Sequence, residues 1–320
     1  YLEGLPSHAL LTWRYHYPQT EFPYDALTRH GRGRTDPELE LLDTGAFDDD
    51  RYWSVEVTYA KSSPTDILMR VVLENHGPDP ATIDVLPTLW FRNTWSWAHD
   101  VARPRIESDG HSLVVVEHDD LAGFRLDAAA APDGSLPSML FCENETNMPR
   151  VFGAAPTTPW PKDGINDFVV NGAPTVNPAG HGSKAAVHYR LTVEPGATAE
   201  LRLRLHRPQP GVAPDDGWAS SFFDEVLASR TADADEFYAA LAPAGTSAEH
   251  LRLLRQASAG LVWSKQMYPY DVGRWLDGDA AQPPPPLERR HGRNARWRHL
   301  QSFDVLAMPD PWEYPWFAAW

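Results

Sequence analysis

Between residues 52 and 206 apolar and polar side chains alternate with period two, the pattern of strands with one buried face. The alternation predicts strands over Ser54–Ala60, Ile67–Glu74, Thr82–Arg92, Ser112–His118, Gly123–Ala128, Ser138–Glu143, Ala185–Glu194 and Thr198–His206. The last two are the clearest. Val187, Tyr189, Leu191 and Val193 alternate with His188, Arg190, Thr192 and Glu194, and Leu201, Leu203 and Leu205 alternate with Glu200, Arg202, Arg204 and His206. Pro195-Gly196 between them suits a type II turn, because glycine accepts the positive φ of the third turn position. The expectation is a hairpin with one buried face. A second reversal is expected at Asn75-His76-Gly77-Pro78-Asp79-Pro80. Many short strands with short turns predict an antiparallel sandwich.

The period changes near Pro208. Asp215 or Asp216 is suited to cap a helix carrying Trp218, Phe222, Val226, Phe237 and Leu241, which Pro243 and Gly245 break. Ser247 is suited to cap a second helix, with Leu251, Leu254, Ser258, Leu261 and Val262 on one stripe. Residues 271–311 read as loop, including the proline run Pro283–Pro286 and a cluster of arginines from Arg289 to Arg298 that is expected to pair with local carboxylates. The expected division is a β-domain over 1–210 and a helical part over 211–320.

Composition narrows the function. The chain has 320 residues, a net charge of −16 and 13 tryptophans. The negative field argues against nucleic acid and against an anionic membrane as partners, and leaves neutral sugars unaffected. No apolar run approaches the roughly 18 residues of a membrane span. A single cysteine, Cys142, excludes an internal disulfide, and in its apolar strand it is expected to be buried and inert. No paired histidine spacing indicates a metal, and no cofactor motif is present. Asp48-Asp49-Asp50 reads as a solvated run, and the Asn144-Glu145-Thr146 triplet carries no role. The chain begins at Tyr1 rather than Met, and the expectation is a piece of a longer protein, open at both ends.

The richest chemistry lies in Asp310–Trp320. Three Trp, a Tyr and a Phe stand beside two acids. Aromatic rings cover the C–H faces of sugars and carboxylates bind hydroxyls, so Trp312, Tyr314, Trp316 and Trp320 with Asp310 and Glu313 form a candidate substrate-binding wall. An aromatic core segment is the other reading. Trp95 and Trp97 either line a cleft at a sheet edge or pack between domains.

Several motifs in one order carry a resemblance over nearly the whole chain. They are Tyr17-Pro18-Gln19 with Phe22-Pro23-Tyr24, Glu40–Gly45, Asp50-Arg51-Tyr52, Leu86–Trp97, Glu143–Asn147, Trp263–Gln266, and Met308-Pro309-Asp310 with Trp312–Trp320. The chain resembles bacterial members of glycoside hydrolase family 63, the family of processing α-glucosidase I, and proteins with a mannosylglycerate-hydrolase-like domain. The resemblance implies a mainly β chain with C-terminal α: an antiparallel β-super-sandwich followed by the first helices of an (α/α)6 barrel. It implies an inverting hydrolase of α-glucosidic or related α-linkages in oligosaccharides or glycosides. Two carboxyl groups roughly 6.5–9.5 Å apart would protonate the glycosidic oxygen and activate water. The family's general acid follows a tryptophan that matches Trp320, and its general base lies later still, so no catalytic residue is expected among residues 1–320. The chain alone is expected to be inactive, its partners being the glycoside substrate and the barrel of its own polypeptide, with a bacterial cytoplasmic location. The alternative is a non-catalytic carbohydrate-binding or structural β-sandwich module, with structural support the preferred role for residues 1–210.

Overall fold

The structure, a computed structural model, describes residues 1–29, 33, 35, 37, 39–98, 101–110, 112–208, 217–280 and 282–308. The chain runs through β1 (Glu3–Gly4), β2 (Leu10–Pro18), α1 (Tyr24–Arg29), β3 (Tyr52–Ser63), β4 (Asp66–Asn75), β5 (Ala81–Val85) and β6 (Thr88–Trp90). It continues through β7 (Arg105–Ser108), β8 (Ser112–Glu117), β9 (Arg125–Ala128), β10 (Ser138–Cys142), α2 (Met148–Phe152), α3 (Gly164–Asn171), β11 (His181–Gly182), β12 (Lys184–Val193) and β13 (Thr198–His206). Then come α4 (Ser221–Leu241), α5 (Ala248–Trp263), β14 (Lys265–Asp271), α6 (Val272–Asp277) and β15 (Gln301–Ala307). The protein is mainly β, with antiparallel sheets and a few helices.

A nine-stranded sheet has the order β1-β2-β3-β4-β13-β9-β8-β7-β11. A smaller sheet has the order β10-β12-β5, with β6 pairing the other half of β12 on the β5 side. One core joins them. Trp53, Val57, Val71, Leu73, Leu201 and Leu203 of the large sheet share it with Ile83, Val187, Tyr189, Leu191 and Val193 of the small one. Burying side chains of this size stabilises by about 1.5–3 kcal/mol each.

The expected hairpin of β12 and β13 is not formed. β12 pairs with β5, β6 and β10, whereas β13 pairs with β4 and β9. The turn itself is as expected, with Ala197 N donating to Glu194 O at 3.0 Å and Gly196 at φ +66°. It arches from one sheet to the other, so the two apolar rows face each other across the core instead of lying side by side. Period two is the same in both arrangements, which is why it did not separate them. The Asn75–Pro80 reversal arches likewise, from β4 of the large sheet to β5 of the small one.

The two arches meet at Asn75, which has no exposed surface. Its main chain exchanges bonds with the other arch: Asn75 N donates to Ala197 O at 3.1 Å and Gly196 N to Asn75 O at 2.8 Å. Its Nδ2 donates to Asp79 O at 2.9 Å and to Val193 O at 2.8 Å. Its Oδ1 accepts from Gln19 Nε2 at 2.6 Å and Gly77 N at 2.9 Å. Both hydrogens and both lone pairs of the amide are used.

Other expectations are corrected. The strand expected over Thr82–Arg92 is broken at Leu86-Pro87 into β5 and β6, since proline interrupts the ladder. The chain does not continue extended through Trp95 and Trp97 but winds into a 3-10 turn over Trp95–Trp97. Residues 271–311, expected as loop, contain α6 and β15 within the described residues. Among the described residues Arg298 of the arginine cluster pairs with a carboxylate, Asp277, while Arg289 lies 4.0 Å over the Trp275 ring.

The far face of the large sheet carries α4. Phe223, Leu227, Ala234 and Tyr238 are buried there with Leu5, Leu10, Ala60 and Leu68. Trp218, just before α4, is buried as expected, but within the helix the expected stripe is one position off: Phe222 and Val226 lie at the flank, and Phe237 and Leu241 are exposed. Two adjacent apolar stripes run along this helix, and the stripe that meets the sheet is the one whose tyrosine finds a partner, Tyr238 Oη donating to Gly4 O at 2.5 Å. Ser220, not an aspartate, precedes α4, and Asp215 and Asp216 lie outside the described residues. Ser247 does cap α5, its hydroxyl accepting from His250 N at 3.2 Å. Leu251, Leu254, Ser258 and Val262 are partly buried as expected, but Leu261 is exposed. α5 crosses β1 so closely that a Cβ on Gly4 would sit 3.0 Å from Ala259 Cα. Trp263 Nε1 donates to Glu3 O at 3.0 Å, and Tyr1 stacks on its ring at 5.2 Å.

Asp127 on β9 gathers neighbours from both adjacent strands. Ser112 Oγ donates to its Oδ1 at 2.5 Å, and His206 Nε2 lies 2.8 Å from its Oδ2. Burial alone would raise the Asp127 pKa, but the bonds from His206 and Ser112, with the charges of His206 and Arg125, hold it below the usual value. A depressed carboxylate adds stability that is present above its unfolded pKa of about 3.9 and is lost as pH falls. The expected result is that Asp127→Asn flattens the loss of stability between about pH 5 and pH 3, read from urea midpoints across that range.

Candidate functional site

The small sheet is narrower than the large one. Trp13 of β2 still packs against the shared core, but Tyr15 and Tyr17, next on the same strand face, are 47% and 49% exposed. Their rings lie 6.0 Å apart, tilted by 41°. They form one wall of a cleft of about 920 Å³ that opens beside strand β5.

The floor includes Trp53, Val55 and Ile83. The polar rim comes from several elements. Gln19 follows β2 and is fixed by the Asn75 amide. Arg51 precedes β3 and pairs with Asp79 of the first arch at 2.9 Å. Asp84 of β5 lies 2.8 Å from His188 Nε2 and 3.1 Å from an Arg190 nitrogen. Lys162 and Asn166 come from the α3 region, which is held on the small sheet by Ile165 against Leu140, Cys142 and Ala186. Lys184 donates to Lys162 O at 2.9 Å; burial first, and then the neighbouring Lys162, lower its pKa. Both cleft carboxylates, Asp79 and Asp84, are already engaged with cations. The arrangement is suited to binding a polar ligand with apolar faces rather than to delivering a proton.

A second polar cluster joins two of the sequence motifs. Glu145 is 3% exposed. It accepts from Trp95 Nε1 at 2.6 Å and Asn93 Nδ2 at 3.3 Å, and pairs with Arg103 at 3.1 Å. Glu143 accepts from Ser183 Oγ at 2.5 Å and lies 3.6 Å from Arg103. The Asn144 amide donates to Phe91 O at 2.7 Å. These residues lock the Leu86–Trp97 segment to the end of β10. Trp95 is buried in this lock, and Trp97 lies under the Arg274 guanidinium of α6 at 4.4 Å, so the pair packs between elements rather than lining a cleft. Cys142 is buried, and burial pushes its thiol up to about 11.

Asp310, Trp312, Glu313, Tyr314, Trp316 and Trp320 lie outside the described residues. The Tyr15–Tyr17 cleft was missed in the sequence. Its one signal was the Tyr17-Pro18-Gln19 motif, which the fold brings against Arg51 of the Asp50-Arg51-Tyr52 motif: Gln19 N donates to Arg51 O at 2.9 Å.

No family model matches this sequence. The chain is 31% identical, over an alignment of 360 residues, to an uncharacterized protein of Saccharomyces cerevisiae (strain ATCC 204508 / S288c). The match takes in 100% of this chain and 33% of that protein, so the chain spans about a third of the length of the curated relative it matches.

Proposed function

We propose that this chain is the N-terminal part of an inverting glycoside hydrolase acting on α-glucosidic or related α-linkages. In this reading the two antiparallel sheets form a β-super-sandwich, and α4 and α5 begin an (α/α)6 barrel. The reacting carboxyl groups come from outside residues 1–320, and the aromatic–acidic segment Asp310–Trp320 supplies sugar-binding rings and hydroxyl acceptors.

The observation that carries the reading is the apolar surface left exposed on the C-terminal part. Among the described residues strands β14 and β15 form a sheet of two, and none of their residues is fully buried. Phe303 and Val305 of β15 are at least half exposed, as are Trp275, Trp297, and Leu253 and Leu261 on α5. Such an apolar surface fits a helical layer that more chain would cover, and the relative's threefold length is in keeping with that.

The test uses the full-length protein with a panel of α-glucosides, α-mannosides and α-linked oligosaccharides. Release of free sugar from at least one is expected. Inertness towards the whole panel would remove the reading.

A further inference from the structure

We infer that the Tyr15–Tyr17 cleft is a glycan-binding site of its own, which holds a neutral oligosaccharide through ring faces and rim polar groups. This goes beyond the hydrolase reading and does not depend on it.

Three observations point to this ligand class. Tyr15 and Tyr17 offer a continuous two-ring surface, half exposed, on a strand face whose next residue, Trp13, is covered by the core. Sugar rings present apolar C–H faces to such surfaces, and a tyrosine platform binds them with little loss of side-chain freedom. The rim then supplies groups for hydroxyls: the Asn166 amide, the Asp84 carboxylate and the Lys162 ammonium. An amide both donates to and accepts from hydroxyls, a carboxylate accepts from them and an ammonium donates to them. Finally, both acids of the lining are paired, Asp79 with Arg51, and Asp84 with His188 and Arg190, and Lys162 and Lys184 add cations to the lining, while the chain as a whole carries −16. A polyanion would meet the repulsive field of the whole chain, which a neutral glycan does not feel. The volume, about 920 Å³, lies at the upper end of small-molecule sites and suits several sugar units rather than one.

The site is rigid where it matters. Gln19 is tied to Asn75, and Asp79 to Arg51, so the rim is set by the two arches before any ligand arrives. Preorganised groups do not have to be ordered on binding.

Calorimetric titration of the full-length protein with maltoheptaose and mannohexaose tests the inference, with an oligogalacturonide as the anionic control. The double variant Tyr15→Ala/Tyr17→Ala is compared with Tyr15→Phe/Tyr17→Phe, which keeps the rings. Because both tyrosines are half exposed, both variants are expected to keep the wild-type melting temperature within a few degrees. The alanine pair is expected to weaken binding of a neutral probe about tenfold or more, and the phenylalanine pair only slightly. Activity on a small chromogenic glycoside is expected to be unchanged in both, so a failed hydrolase reading and a failed cleft reading give different results. No ring-dependent binding of either neutral probe, or tighter binding of the oligogalacturonide, would overturn the inference. So would self-association that the alanine pair abolishes in the absence of sugar, since that would assign the cleft to a second copy of the chain.

Discussion

Replacing Asn75 with leucine is expected to cost about 4 kcal/mol or to prevent folding, with the urea midpoint falling at an unchanged slope if the variant still folds. The amide is fully buried and makes four side-chain bonds, two to carbonyls of Asp79 and Val193 and two from Gln19 and Gly77. Leucine has about the same size, so the loss comes from leaving these groups unpaired rather than from a cavity. Each unsatisfied buried group costs about 1–3 kcal/mol, though relaxation and water recover part of it. Asn75→Asp is a sharper test. It keeps the shape but sets a carboxylate oxygen against the carbonyls of Asp79 and Val193, and it is expected to destabilise to a similar degree. The consequence reaches the cleft, because Gln19 and Asp79 on its rim are held by this one side chain.

Glu145→Leu is expected to destabilise by about 3 kcal/mol, and Glu145→Gln by about 1–2 kcal/mol. The carboxylate is buried, but its cation Arg103 has a side chain 41% exposed, so water screens part of the pair. Most of the cost then lies in the Trp95 indole N–H, which leucine leaves without its partner at 2.6 Å. Glutamine still offers an oxygen there. Near-ultraviolet circular dichroism of the tryptophans should change strongly in the leucine variant and weakly in the glutamine variant, and thermal unfolding should rank the three proteins in the same order.

The strands of the β part were largely legible, because alternation is a local property and each strand has one buried face. β4, β8, β12 and β13 lie within a residue or so of where the pattern set them. Which strand pairs with which was not legible. Val187–Val193 and Leu201–Leu205 read alike whether they lie side by side or face each other, and the pairing is set by non-local ladders, β12 with β5, β6 and β10, and β13 with β4 and β9. β2 was missed because its apolar row ends in tyrosines that stay exposed. For the same reason the cleft was missed: its rings come from β2, its rim from segments up to 170 positions further on. In α4 two stripes competed, and the docking of Tyr238 onto Gly4 chose between them. The motif residues Glu145, Trp263 and Gln19 carried the family resemblance in the sequence; in the fold they hold loops and termini in place.

The central claim, that the chain belongs to an inverting glycosidase, is tested most directly by following the first product of hydrolysis by proton NMR with the full-length protein and an α-linked substrate. The β-anomer is expected to appear first and then to mutarotate to the equilibrium mixture. Initial appearance of the α-anomer, or no hydrolysis at all, would contradict the claim.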